Sequence, residues 1–168
     1  MGCGGSKETS RATPSAHSKT FDLPYGIEYI EMLVQALDKS NIICCVVGPG
    51  AMRYHGIRSR FDHWQLVVRH IDLATAKRIR TETYREFVKN MRPERIRLVN
   101  HSQLKQHEKM MELCQGTQLI STAAPGARVL DLDEAGYAHC EVSPERGIPY
   151  PKKVILEANP ALCGMSGV

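Results

Sequence analysis

The longest unbroken apolar run of the chain, IICCVV at residues 42–47, limits its fold more than any other feature. The run is rich in β-branched side chains and ends at Gly48, which together predict a buried strand. Cys44 and Cys45 lie inside it, and we expect both to behave as small core hydrophobes. The run is far too short to cross a bilayer, so it predicts a folded domain rather than a membrane span.

Two helices and a second strand surround this run in the sequence. Residues 24–41, PYGIEYIEMLVQALDKSN, carry apolar side chains at spacings of three and four, which predicts an amphipathic helix. PGAMRYHG then predicts a glycine-rich turn and a short helix, HWQLVVR a second strand, and residues 71–91 a long helix. This order predicts an α/β (α+β) domain, in which helices flank a mixed sheet with strands 42–47 and 64–68 adjacent.

Beyond Pro93 the patterns are shorter. We expect a helix at 102–115 and strands at RIRLV (95–99), TQLIST (117–122), RVLDL (128–132) and YAHCEV (137–142), the last of which closes the sheet. Ile155 and Leu156, in the proline-bounded segment 148–164, are expected to pack on the body. The folded domain is therefore predicted at residues 21–161, followed by a flexible C-terminal tail at 162–168.

The first residues, MGCGGSK, match the pattern for myristoylation of Gly2 after removal of the initiator methionine. One myristoyl chain binds membranes only marginally, and Cys3 beside it is a candidate for palmitoylation. The rest of the segment 1–20 is polar and predicts a disordered tether, although a chance match in such a tail is the alternative. The expected location is the cytoplasmic side of a membrane, or the cytosol if the chain is not acylated.

The cysteines suggest a reducing environment. Six cysteines are present, but no apolar secretory signal opens the chain and no C-x-x-C pair occurs. A disulfide scaffold and a structural zinc site are therefore not expected.

The formal net charge of +4 is mild, but residues 77–97 concentrate the positive charge. This basic region is either a solvated helix face, partly paired with Glu82 and Glu86, or a surface that meets anionic lipid headgroups. Nucleic acid is not expected as a partner, because no aromatic stacking platform accompanies the charge.

The stretch IICCVVGPGAMRYHGIRSRFDHWQLVV, together with the later IPYP at 148–151, resembles the nucleotidyltransferase superfamily. It is most similar to nucleotidyltransferase-like proteins of filamentous fungi, in which G-x-x-A-L-x-Y-Y-G-V-x-R leads to D-W-E-L-x-V. The likeness covers residues 25–70 well, the IPYP segment loosely and the middle of the chain poorly. It implies a helix, a strand that ends in a glycine turn, a helix, and a strand that carries two carboxylates.

In active members the resemblance implies that the glycine turn approaches a triphosphate and that the two carboxylates hold Mg²⁺. The corresponding positions here are His63 and Gln65, and neither is an acid. Asp62 is one residue out of phase, so alternation along a strand is expected to turn it to the opposite face. Pro49 also removes a backbone N–H from the turn. The alternative for His63 and Gln65 is that they are ordinary solvent-facing strand residues.

These observations predict a membrane-tethered, catalytically inactive nucleotidyltransferase-like domain that acts as a binding or regulatory module, without a cofactor. The alternatives are an active Mg²⁺-dependent enzyme with acids supplied by Asp62 and by Asp131 or Asp133, and a structural adaptor that keeps only the fold. The segment DLDEAG at 131–136 is expected to be a turn rather than a metal site. Residues expected to contact a phosphate or another ligand are Gly48, Gly50, Arg58, Arg60, His63 and Gln65.

Overall fold

The computed structural model describes residues 26–92 and 95–164. Within these ranges the chain forms five α-helices and five short strands, with three 3-10 turns between or after them. In chain order these elements are α1 (Ile27–Lys39), β1 (Cys44–Val47), α2 (Gly48–Tyr54), β2 (Gln65–Val68), a 3-10 turn (His70–Asp72), α3 (Leu73–Asn90), α4 (His101–Gln115), β3 (Gln118–Ser121), a 3-10 turn (Arg128–Leu130), β4 (Cys140–Val142), β5 (Pro149–Pro151), α5 (Lys153–Ala158) and a 3-10 turn (Pro160–Cys163). The predicted tether at 1–20, with Gly2 and Cys3, lies outside the described residues.

The predicted first helix is confirmed as α1, and its apolar face is buried in the core that also holds the strands. Tyr29 on this face packs against α3, with its ring centroid 5.5 Å from that of Phe87 and 6.1 Å from that of Tyr84. Burial of such a stripe of large side chains is the main source of stability for a helix of this length. The helix ends at Lys39, and Asn41 follows with a positive φ of 56°.

The main sheet has three strands in the order β1, β2, β3. β1 pairs antiparallel with β2, and β2 pairs parallel with β3 after the chain has crossed through α3 and α4. All residues of β1 and β2 are buried, including Cys44 and Cys45. The prediction of a mixed sheet with these two strands adjacent is confirmed, as is the prediction that both cysteines lie in the core.

A second sheet of two strands stands beside the first, and it corrects one prediction. β4, within the predicted strand YAHCEV, does not close the main sheet but pairs antiparallel with β5. The hairpin between them turns at Gly147, whose φ is +67°, and the Ser143 N–H donates to the Ile148 carbonyl. Pairing with a strand a few residues away loses less loop-closure entropy than pairing with the distant edge of the main sheet. The local pairing is therefore favoured.

Two further strand predictions are wrong, and local hydrogen bonds explain both. At 95–99 the Val99 N–H is taken by the Gln103 side chain and the Leu98 N–H by the Ile96 carbonyl, so these donors are not available to a sheet. At 128–132 the chain makes a 3-10 turn instead of a strand, and it ends at Asp131 with a left-handed φ of 48°. Asp tolerates that conformation better than most residues, which allows a turn at this position instead of a strand.

Contacts between α2 and the C-terminal elements connect the two sheets. The ring of Tyr54, at the end of α2, stacks on Tyr150 of β5 at 4.0 Å between centroids, and His55 Nε2 donates to the Pro151 carbonyl at 2.7 Å. Leu156 of α5 is fully buried and Ile155 is half-buried, which confirms that this segment packs on the body. The predicted boundary at residue 161 falls inside the last 3-10 turn, and Leu162 beyond it is buried.

Candidate functional site

Gln65, the first residue of β2, is the centre of the polar cluster at the predicted site. Its side chain is buried, and the amide nitrogen lies 2.8 Å from His63 Nε2 and 3.3 Å from Gln118 Oε1 on the neighbouring strand β3. The parallel register places Gln65 directly opposite Gln118, which explains their contact. The alternative of an ordinary solvent-facing residue is therefore wrong for Gln65.

The imidazole of His63 connects Gln65 to a carboxylate. His63 Nδ1 lies 2.7 Å from Asp62 Oδ1, while Nε2 faces the amide of Gln65. One hydrogen-bond pattern satisfies all three groups: the amide donates to Nε2, and the protonated Nδ1 donates to the carboxylate. The side chains of His63 and Asp62 are 30% and 58% exposed, so the chain of hydrogen bonds runs from the core to the surface.

The expectation that Asp62 faces away from His63 is wrong. Residues 57–64 form no regular structure, and β2 begins only at Gln65. Alternation of faces applies inside a strand, so it does not separate two residues of the loop that precedes one. Asp62 and His63 are in contact instead, and this loop brings one acid to the cluster.

The glycine turn after β1 is buried rather than exposed at the surface. Gly48 has a φ of +65°, and a Cβ there would collide with the side-chain oxygen of Gln65. A Cβ on Gly50 would lie 2.7 Å from the Trp64 ring. Both glycines therefore have a packing role, since they make room for Gln65 and Trp64; contact with a phosphate at this turn stays a prediction.

Aromatic contacts hold the loop 57–64 in place. Trp64 is fully buried, and Phe61 packs edge-on against it with 4.8 Å between ring centroids. The guanidinium of Arg53 lies 5.5 Å from the Phe61 centroid and donates to the Ser59 carbonyl at 3.3 Å. The loop is thus anchored on α2 and on the core, and the cluster built on it has a fixed position.

A cavity of about 260 Å³ opens beside the cluster, between this loop and α4. It is lined by Arg60, Phe61, Asp62, Lys109, Glu112 and Leu113. Arg60 was predicted from the sequence as a ligand residue, whereas Arg58 is exposed and does not line this cavity. Sequence reasoning missed the residues of α4: the spacing of Lys109, Glu112 and Leu113 places them on one helix face but cannot say what that face meets.

The other candidate acids lie elsewhere. Asp131 and Asp133 are in the turn region that precedes β4, as predicted for DLDEAG, and neither lines the cavity. Within residues 26–92 and 95–164, no three His, Cys, Asp or Glu side chains lie close enough together to hold a metal ion.

The basic region at 77–97 divides into two parts. Arg80 is turned inward and donates to the Thr117 carbonyl at 2.7 Å, so it has a structural role. Arg78, Arg85 and Lys89 are exposed on α3, and no ion pair joins Glu82 or Glu86 to a cation among the residues that the structure describes. The pairing by these two glutamates, which belonged to the first alternative, is therefore wrong, and contact of the exposed cations with anionic lipid stays a prediction.

Comparisons with protein-family models, with curated proteins and with solved structures found no match to this chain. The resemblance to nucleotidyltransferases rests on the residues quoted above, and what it implies for function stays a proposal. No helix in the described part of the chain is both long and apolar enough to span a membrane.

Proposed function

We propose that the chain is a membrane-tethered binding module with a nucleotidyltransferase-like fold, and that it does not transfer nucleotides. One observation carries this proposal: His63 and Gln65, at the positions that the resemblance assigns to metal-binding carboxylates, are hydrogen-bonded to each other at 2.8 Å. Mg²⁺ prefers hard, anionic oxygen ligands, which neither side chain supplies. Without Mg²⁺ ions held by such ligands, the charge that develops on a transferring phosphoryl group loses its largest source of stabilisation.

The ligand is proposed to bind in the cavity beside this cluster. Arg60 and Lys109 provide two cations, Asp62 and Glu112 provide two anions, and Phe61 and Leu113 provide apolar surface. Its volume of about 260 Å³ lies just below the usual range for small-molecule sites. These properties suit a small phosphorylated compound, such as a nucleoside monophosphate, whose phosphate meets the two cations and whose apolar part meets Phe61.

Calorimetric titration with nucleoside mono- and triphosphates, with and without Mg²⁺, tests this binding. We expect binding that does not require Mg²⁺ and that weakens about tenfold or more in Arg60→Ala, because a charge-assisted hydrogen bond to phosphate is lost. Arg58→Ala is the matched control, since Arg58 is an exposed arginine that does not line the cavity. If no nucleotide binds to the wild type, the adaptor alternative is favoured instead.

Transfer is tested separately from binding. Purified protein with Mg²⁺ or Mn²⁺, labelled nucleoside triphosphates and mixed protein and RNA acceptors should label nothing above the level of a His63→Ala, Gln65→Ala variant. Labelling by the wild type that disappears in Asp62→Asn would contradict the proposal, because it would show that an active site has been rebuilt around this carboxylate.

The membrane tether is proposed from the N-terminal pattern, with myristate on Gly2 and palmitate on Cys3. Intact-mass analysis of the protein from its own host should find both acyl groups, and Gly2→Ala should move the protein from the membrane fraction to the soluble one. An unmodified Gly2, or membrane association that survives this substitution, would reject the anchor and leave the binding proposal unaffected.

A further inference from the structure

Two buried cysteines from different sheets lie in contact in the core. Cys45 is in β1 of the main sheet and Cys140 begins β4 of the second sheet, and their Sγ atoms are 3.3 Å apart. The two residues are 95 positions apart in the sequence, so only the packing of the two sheets brings them together. A disulfide has an S–S distance of about 2.05 Å, so the sulfurs need to approach by a little over 1 Å to bond.

We propose that Cys45 and Cys140 form a reversible disulfide when the protein meets a small peroxide. The contact distinguishes this pair from the other free cysteines: Cys44, Cys114 and Cys163 have no sulfur partner among the described residues. Cys45 is fully buried and Cys140 is 7% exposed, which favours a compact oxidant such as hydrogen peroxide over a bulky disulfide.

The environments of the two thiols assign them different roles. The hydrogen bond with Cys45 lowers the pKa of Cys140; burial opposes this effect, and nearby Lys152 lowers the pKa further. Burial raises the pKa of Cys45 well above its usual value, and the bond with Cys140 adds to that rise. Cys140 is the more exposed of the two and has Lys152 nearby, so we assign the first step to its thiolate, and Cys45 remains a thiol until the second step.

The reaction then balances in two steps. The Cys140 thiolate attacks one oxygen of hydrogen peroxide, the O–O bond breaks, and hydroxide leaves, so that Cys140 becomes a sulfenic acid. This hydroxide takes the proton that Cys140 released on ionising and becomes the first water. The sulfur of Cys45 next attacks Cys140 Sγ, the S–O bond breaks, and the departing hydroxide takes the Cys45 proton as water. In total, two thiols and one peroxide give one disulfide and two waters, and a dithiol reductant reverses the change by exchange.

The experiment uses the full chain in unacylated form, expressed in bacteria so that Cys3 is free, and then reduced and treated with hydrogen peroxide in graded amounts. Thiols are next blocked with N-ethylmaleimide in denaturant, and the labels are counted by mass spectrometry. Of the six cysteines in the chain, six should be labelled before oxidation and four after it. Digestion without reductant should release a peptide that joins Cys45 to Cys140, and dithiothreitol should restore all six labels.

Matched variants separate this pair from its neighbours. Cys45→Ala and Cys140→Ala should each abolish the two-label loss, whereas Cys44→Ala, which removes a buried thiol from the adjacent position of β1, should leave it intact. If a variant fails to fold, the peptide map of the wild type decides alone. The proposal is overturned by a linked peptide from any other pair, by retention of six labels, or by sulfinic acid on Cys140 while Cys45 remains free.

Discussion

The packing around the candidate site depends on the absence of a side chain at Gly50. A Cβ at this position would lie 2.7 Å from Cζ3 of Trp64 and 3.2 Å from Cγ1 of Val46. Both neighbours are fully buried, so the Trp64 ring has little room to move. We expect Gly50→Ala to lower the free energy of unfolding by about 1–3 kcal/mol, the usual effect of overpacking a core, as measured by urea denaturation.

Gly164→Ala is the control for this prediction. A Cβ there meets no atom within 4 Å, and its φ of −149° suits any residue, so we expect the free energy of unfolding to change by less than about 0.5 kcal/mol. Equal denaturation midpoints for Gly50→Ala and the wild type would show that the contact between Gly50 and Trp64 is loose.

At the same scale, the sequence predicted residue types better than residue contacts. Cys44 and Cys45 were assigned to the core from the apolar run that contains them, and both are buried. The glycine turn at 48–50 was recognised in the sequence, but the side chains that require glycine there were not. Gln65 and Trp64 lie about 15 residues later, and they contact the turn only because β1 pairs with β2.

At the scale of elements, helices were predicted more reliably than strands. α1, α3 and α4 each carry enough turns for an apolar periodicity to be recognised, whereas a strand of three or four residues gives little pattern. The stretch 95–99 alternates apolar and charged side chains as a strand does, yet the capping side chain of Gln103 takes one of its donors. Such a contact belongs to the neighbouring helix and is not visible within the stretch itself.

The exposed cations of α3 carry a prediction about membranes. Arg78, Arg85 and Lys89 are spaced by seven and four residues, which places them along one face of the helix. Each basic residue near an anionic surface contributes about 1 kcal/mol to the free energy of membrane binding. Replacement of all three by Gln should therefore weaken binding to phosphatidylserine vesicles roughly a hundredfold. Co-sedimentation of unacylated protein with such vesicles measures this effect without the acyl chains.

The control for this prediction removes the same charge from elsewhere. Lys39, Lys105 and Arg128 are exposed on other elements, and their replacement by Gln should weaken vesicle binding much less. Similar losses for the two triple variants would indicate attraction by the net charge alone, and would contradict a specific role for α3.

At the scale of the whole molecule, the sequence predicted the fold class but not the division into two sheets. A mixed sheet flanked by helices was expected and is present, but the chain after residue 137 builds a separate hairpin. That hairpin supplies Tyr150 and the Pro151 carbonyl to α2, and Cys140 to the core contact with Cys45. Contacts between elements so distant in sequence depend on packing, which a pattern of single residues does not encode.

Burial of thiols also determines how the whole molecule responds to alkali. Burial, with a smaller contribution from nearby Asp38 and Glu28 respectively, raises the pKa of Cys44 and of Cys114 to about 12. In the unfolded chain a cysteine titrates near pH 8.5. Because the folded pKa exceeds the unfolded one, each thiol contributes stability that is complete below about pH 8.5 and is lost as the pH rises from there towards 12.

Cys114→Ala should therefore make the molecule less sensitive to alkali. A thiol of raised pKa makes the free energy of unfolding fall by up to about 1.4 kcal/mol per pH unit between its two pKa values, and this substitution removes one such contribution. Urea denaturation from pH 8 to 11, with reductant present to keep Cys45 and Cys140 reduced, measures the slope. Cys163→Ala, which removes a thiol that is only half-buried, should change the slope less. Parallel curves for the wild type and Cys114→Ala would contradict the prediction, because they would mean that the Cys114 thiol ionises equally easily in the folded and unfolded chain.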